Sequence, residues 1–234
     1  MGSEMCIRDR RREAKHQLIA ALSDRLNAPP GALPAAGSWP ALDPADDEFR
    51  RVSFEATYQA RPDAMVYSSG SAVRDDIAGP GTWAFLPARL PGGETVVVNA
   101  GFVQNTMQER AQQDRAVAGL VIGAPVTLTG YIRFPEASAA LTPNPDPVKR
   151  LWFARDLRSM AALLGWGRVA PFYIDLELPV PPSGIPKPAA LGIHLKDDHL
   201  QYAITWFGLA GAVAIAFGFW VVGQWRSPAR RSSS

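Results

Sequence analysis

The chain has 234 residues, a formal net charge of +2 and an apolar fraction of 47%. That is enough for one domain with its own core, and the near-balanced charge argues against a nucleic-acid partner, since no basic stripe interleaved with aromatics is present. The single cysteine, Cys6, excludes a disulfide framework and a thiolate metal site.

The opening ten residues, MGSEMCIRDR, hold no apolar segment and so form neither a signal peptide nor a membrane helix. They read as non-native or as a sequence-assembly artefact, with the native N-terminus lost; the alternative is that a C-terminal anchor alone suffices. From Arg11 to Leu26, Leu18, Ala21, Leu22 and Arg25 follow three- and four-residue spacing, which predicts a helix that Asn27, Pro29 and Pro30 end. Residues 31–49 are rich in Pro and Gly and predict an extended loop. Asp46, Asp47 and Glu48 there make a weak metal motif and read more plainly as solvated acids.

Segments with strand character follow. Val52, Phe54, Ala56 and Tyr58 alternate with polar neighbours, the pattern of a half-buried strand. Ala64 to Ser69, a short stretch around Trp83 and Phe85, the apolar run Val96–Val98, and Pro125 to Phe134 add further strands, the Val run being a buried central one. Gln104 to Ala118 is polar and reads as a loop or short exposed helix. Most connections are too short for helical crossovers, which predicts a largely antiparallel sheet and an α+β fold. EASAALTPNPDPVKR reads as a mobile loop. An amphipathic helix is predicted from about Asp156 to Leu164, with Asp156 near its N-terminus and Gly165 ending it. PFYIDLEL is the last strand, and PVPPSGIPKP reads as a stiff spacer.

From Leu200 through Trp225 no residue is charged, and about twenty apolar or small residues at 1.5 Å each span a hydrocarbon core. Only a helix satisfies its own backbone in lipid. Tyr202 and Trp206 mark one end and Trp220 and Trp225 the other. Arg226, Arg230 and Arg231 follow, so the C-terminal tail is expected in the cytoplasm (or the matrix of an organelle) and the body on the opposite side, which is the periplasm in a bacterium.

No nucleophile with a base, carboxylate pair or metal set stands out. Ser68, Ser69 and Ser71 lack a nucleophile-elbow context, and Gly79 and Gly81 give half of a dinucleotide fingerprint with no helix after it. His199 differs by position. It opens the apolar helix beside Asp198, where an imidazole suits an axial haem ligand; the plainer reading is a polar residue capping the helix start.

DDHLQYAITWFGLA, Asp197 to Ala210, resembles the opening of the second membrane helix in the Surfeit locus protein 1 family, the cytochrome c oxidase assembly factors. RREAKHQLIAALSDRLNAPPGALP, EFRRVSFEATY, ETVVVNAGFV, VTLTGYIR and WFARD resemble further family segments in family order, so the likeness covers Arg11 to Trp225. Ala100 and Phe102 stand where the family's V-N-R-G-W-V block has arginine and tryptophan, and Asp197–Asp198 where it commonly has two asparagines. The resemblance implies a non-enzymatic role in maturing oxidase subunit I by transient handling of haem a, with partners in subunit I, the haem a synthesis machinery and the bilayer. The alternatives are an anchored scaffold that binds no cofactor and, less favoured, an anchored hydrolase. It also implies a first membrane helix ahead of residue 11. Carried over by position, His199 is the expected haem ligand, and Tyr202 and Trp206 lie one and two turns along the same face, where they pack against a macrocycle or anchor in the interface. Asn99 and Gly101 match the N-x-G core of the strand block and are the partner-binding candidates, although close backbone approach explains the glycine equally. No residue is assigned to catalysis or to a metal. The expected division is residues 1–10, a non-native start; 11–30, helix and linker; 31–188, the extracytoplasmic α+β body; 189–199, a juxtamembrane segment; 200–225, the membrane helix; and 226–234, a basic tail in the cytoplasm of an inner-membrane protein.

Overall fold

In the computed structural model, residues 22–71, 74, 76–77, 79–104, 110–136, 142–192 and 199–226 are described, with side chains omitted at 199–203 and 222–226. They fall into two units, a β-rich body and a C-terminal helix, with the division between His194 and Leu195.

The body is built on eight strands: β1 (Gly31–Ala32), β2 (Arg51–Tyr58), β3 (Ala64–Ser68), β4 (Gly81–Arg89), β5 (Thr95–Gln104), β6 (Val126–Arg133), β7 (Leu151–Trp152) and β8 (Tyr173–Leu178). Five of them close a ring. β2 pairs with β6, β6 with β8, β8 with β5, β5 with β4, and the end of β2 returns to β4 through Thr57–Arg89 and Tyr58–Ala88. β3 and then β7 extend the sheet beyond β4, while β1 lies beside β2. The α+β class and the predominance of antiparallel pairing are as the sequence predicts. Three pairings are nevertheless parallel: β1–β2, β3–β7 and, inside the ring, β5–β8.

Period-two alternation sorts side chains into two apolar layers. On β4, Ala84, Leu86 and Ala88 enter the barrel interior with Val96 and Val98 of β5, Leu128 and Ile132 of β6, and Ile174 and Leu176 of β8. Trp83 and Phe85, with Val97 and Tyr173, face outward into a second layer. Both faces of β4 and β5 are therefore covered, which is why these strands read as continuous apolar runs.

The second layer is closed by a helix whose ends are set by local chemistry. Asp156 caps α4 (Leu157–Leu164) by accepting from the amides of Arg158 and Ser159, 3.1 Å each, and Gly165 ends it in the left-handed region at φ 68°. Leu157, Met160 and Ala161 are its buried face, packed with Trp152 and Trp166.

Three other helices belong to the chain. α1 is described over residues 22–27 and buries Leu26; the rest of the predicted Arg11–Leu26 helix lies outside the described residues. α2 (Pro44–Asp47) is one turn capped by Asp43, and α3 (Arg110–Ala118) is a polar helix that buries Val117. The predicted loop over 31–49 needs correction. Besides β1 and α2 it holds a 3₁₀ turn, Ala36–Ala41, which places Trp39 in the barrel core edge-on to Phe172 at 5.4 Å. The stiff spacer is likewise not free, since Lys187 bridges to Phe102 of β5 and Leu191 is buried beside Leu26 and Tyr131.

The second unit is α5 (His199–Arg226), a helix of 28 residues. Its window Ile204–Val221 is long and apolar enough to cross a membrane. None of that window is buried, so it is not the core helix of a soluble fold.

Candidate functional site

Alternation puts Asn99 on β5 and Asp175 on β8 on the outer surface of the barrel wall, and the parallel register sets them directly side by side. The Asn99 carboxamide donates to Asp175 Oδ1 at 2.6 Å, and its oxygen accepts from the Gly101 amide at 3.3 Å. Arg133, one strand further at the end of β6, donates to Asp175 Oδ2 at 3.1 Å and to Glu48 at 3.0 Å, with its guanidinium over the Phe49 ring at 4.3 Å. One polar chain thus crosses three strands.

Burial penalises the Arg133 cation, yet the Asp175 and Glu48 carboxylates more than reverse that and raise its pKa, so it stays charged. Arg155, paired with Glu136, is raised in the same way against burial, by the Asp175 and Glu136 carboxylates. Burial pushes the Tyr173 phenol far above its ordinary value, and it remains a neutral hydroxyl. Among the described residues, no group hydrogen-bonds that hydroxyl. On the same face, Arg51 of β2 and Glu177 of β8 pair across β6 through two bonds of 2.7 and 2.8 Å, and burial followed by Glu177 pushes Tyr131 up to about 12.

Gly101 is required by space and by conformation. Its φ is +129°, and a Cβ there would lie 2.4 Å from the Lys187 carbonyl carbon. Asn99 is buried and fully used inside the domain, so both residues shape the wall of the body. Ala100, beside them, points into the barrel core, and Phe102 packs edge-on against Trp83 at 5.2 Å. The acids Asp47 and Glu48 are spent on Arg50 and Arg133. Among the described residues, no group of three His, Cys, Asp or Glu side chains gathers as a metal site.

The three cofactor candidates belong to the helical unit. His199 is the first residue of α5, and Tyr202 and Trp206 follow at spacings of three and four, which places all three on one helix face. The side chains of His199 and Tyr202 lie outside the described residues. Trp206 is 60% exposed, so its indole presents a broad aromatic surface outward from the helix.

Residues that sequence reasoning missed are Asp175, Arg133 and Arg155. An acid within the apolar strand YIDLEL and the arginine of GYIRF were the available signals, but only the β6–β8 pairing brings Asp175 and Arg133 together.

The sequence profile described as "SURF1 family" matches residues 10–211, most of the body and the start of α5. The chain belongs to the SURF1 family. A SURF1-like protein of Monosiga brevicollis is 32% identical over 220 residues, covering 90% of this chain and 78% of that relative. Surfeit locus protein 1 of Rattus norvegicus is 29% identical over 87% of this chain and 66% of its own length, and that of Homo sapiens 28% identical over 87% and 68%. The chain thus spans about two thirds of the mammalian SURF1 relatives.

Proposed function

We propose that this chain is an assembly factor for cytochrome c oxidase, anchored in a bacterial inner membrane, that handles haem a during its insertion into subunit I. The observation that carries this reading is the SURF1 family match over residues 10–211, which runs unbroken from the body into an apolar helix of membrane-spanning length. No catalytic constellation is needed for such a role. The body offers a rigid surface for subunit I, with Asn99 and Gly101 setting the shape of the wall that carries it.

At the start of α5, His199 offers an imidazole nitrogen, and Tyr202 and Trp206 offer ring surfaces along the same face. Haem a bound there would supply an iron centre open to axial ligation. Confinement at a membrane interface keeps a poorly soluble group out of bulk water until subunit I accepts it. The arginines after the helix favour a cytoplasmic C-terminus and a periplasmic body.

The test is complementation of a strain lacking its own family member, read as oxidase activity and as the haem a band in washed membranes. Restoration by the full chain supports the assembly role. Subunit I that accumulates normally without the chain, in both content and haem a, contradicts it.

A further inference from the structure

The segment after β8 carries five prolines, at 179, 181, 182, 186 and 188, and so has few backbone donors with which to hold itself to the body. One residue makes its backbone attachment to β5. The Lys187 amide donates to the Phe102 carbonyl at 2.9 Å and the Phe102 amide donates to the Lys187 carbonyl at 3.1 Å, a single antiparallel bridge on the free end of β5. The bridge exists because Gly101 has no side chain where the Lys187–Pro188 backbone passes.

Around that bridge lies a charged lock. Arg74, only 4% exposed, donates to the Lys187 carbonyl at 2.8 Å, chelates Asp76 through two bonds of 2.8 and 2.6 Å, and lies over the Trp83 ring at 5.7 Å. Asp76 also takes the Lys187 ammonium at 2.7 Å. Asp76 and Lys187 are the accessible members, their side chains 36% and 51% exposed. Hydrogen bonding from Arg74, then from Lys187, holds the Asp76 carboxyl well below the usual carboxylate range, so the lock remains charged near neutral pH.

The attachment is therefore built unlike the barrel. A barrel strand such as β6 is held by ladders on both sides; this segment is held by one backbone bridge, one three-membered charge cluster, the packing of Ile185 on the barrel core and the burial of Pro186, Pro188 and Leu191. Local openings follow the number of interactions broken, so the segment opens at lower free energy than the barrel. We propose that residues 184–191 form a releasable strap, locked onto β5 by Arg74, Asp76 and Lys187, whose release lengthens the tether between the body and α5. An extended Pro-rich chain gains about 3 Å of reach per residue set free. Because Asn99 accepts from the Gly101 amide, the strap seat is also tied to the Asn99–Asp175–Arg133 chain in the barrel wall.

Hydrogen exchange on the full chain in detergent micelles tests this without any ligand. In the wild type, the Phe102 and Lys187 amides should exchange at least about tenfold faster than the Val97 and Ile174 amides, through an opening smaller than global unfolding. Asp76→Asn and Lys187→Ala should each speed the first pair by about tenfold again and leave the barrel pair unchanged. If Asp76→Asn loosens the whole body by stranding Arg74, Lys187→Ala decides, since it removes a half-exposed ammonium and keeps the backbone. Equal protection of strap and barrel amides in the wild type overturns the proposal, as does a strap that exchanges at the wild-type rate in Lys187→Ala.

Discussion

The barrel wall and the α5 helix treat their functional-looking residues in opposite ways. In the wall, every group of the Asn99–Asp175–Arg133 chain is engaged by another group of the body, with Asn99 and Asp175 buried and Arg133 partly so. In α5, Ile204, Trp206, Phe207, Phe217 and Trp220 turn outward, 60% exposed or more, along a helix whose backbone needs no outside partner. A buried network that is fully satisfied specifies a shape and offers little to a ligand. An outward-turned apolar helix of membrane-spanning length suits lipid surroundings. Under the proposed function the body is the scaffold, and the start of the helix is the cofactor contact.

That contrast is open to direct attack. The largest expected effect is in the wall. Asp175→Ala leaves the buried Asn99 amide without its acceptor and the Arg133 cation with Glu48 alone, and should cost about 3–5 kcal/mol in urea unfolding of the body. A cost below about 1 kcal/mol, the worth of a typical exposed pair, contradicts the wall as a structural network. Next comes the helix: Ala212→Lys, near the middle of the apolar window, should disfavour membrane insertion by about 2.5–3.5 kcal/mol, read as the fraction resisting alkaline extraction. Full retention of this variant removes the lipid assignment.

Gly101→Ala is expected to fall slightly lower, with about 1–3 kcal/mol from the strained backbone at φ +129° alone and loss of the strap bridge as a separate signature in exchange. The smallest effect is at a cap. Asp156→Ala should cost about 1 kcal/mol, confined to α4. It calibrates the others, being a substitution that touches neither the wall nor the membrane helix.

Local patterns carried much of this structure. Alternation around Val52–Tyr58 and Pro125–Phe134 marks β2 and β6, and Asp156 with Gly165 brackets α4, because capping and period two are decided within a few residues. Barrel closure was not legible: it rests on two residue pairs between the ends of β2 and β4, whose partners are some thirty positions apart. The parallel β5–β8 pairing has the same origin, and Asp175 acquires its meaning only from it. Trp39 reads as a loop residue because Pro and Gly flank it, yet tertiary burial against Phe172 overrides the local signal. The proposed contacts His199, Tyr202 and Trp206 rest on spacing and resemblance alone, while the role of Gly101 needed the strap to be seen crossing it.

The division between scaffold and helix is tested most directly by the absorption spectrum of the full chain purified from cells that make haem a, compared with His199→Ala. The wild type should carry a haem a Soret and α band. The variant should lose most of that haem while its membrane content and body stability stay unchanged, because His199 lies on α5 and outside the wall. Equal haem in both proteins, or haem lost from Asp175→Ala but kept by His199→Ala, would contradict it.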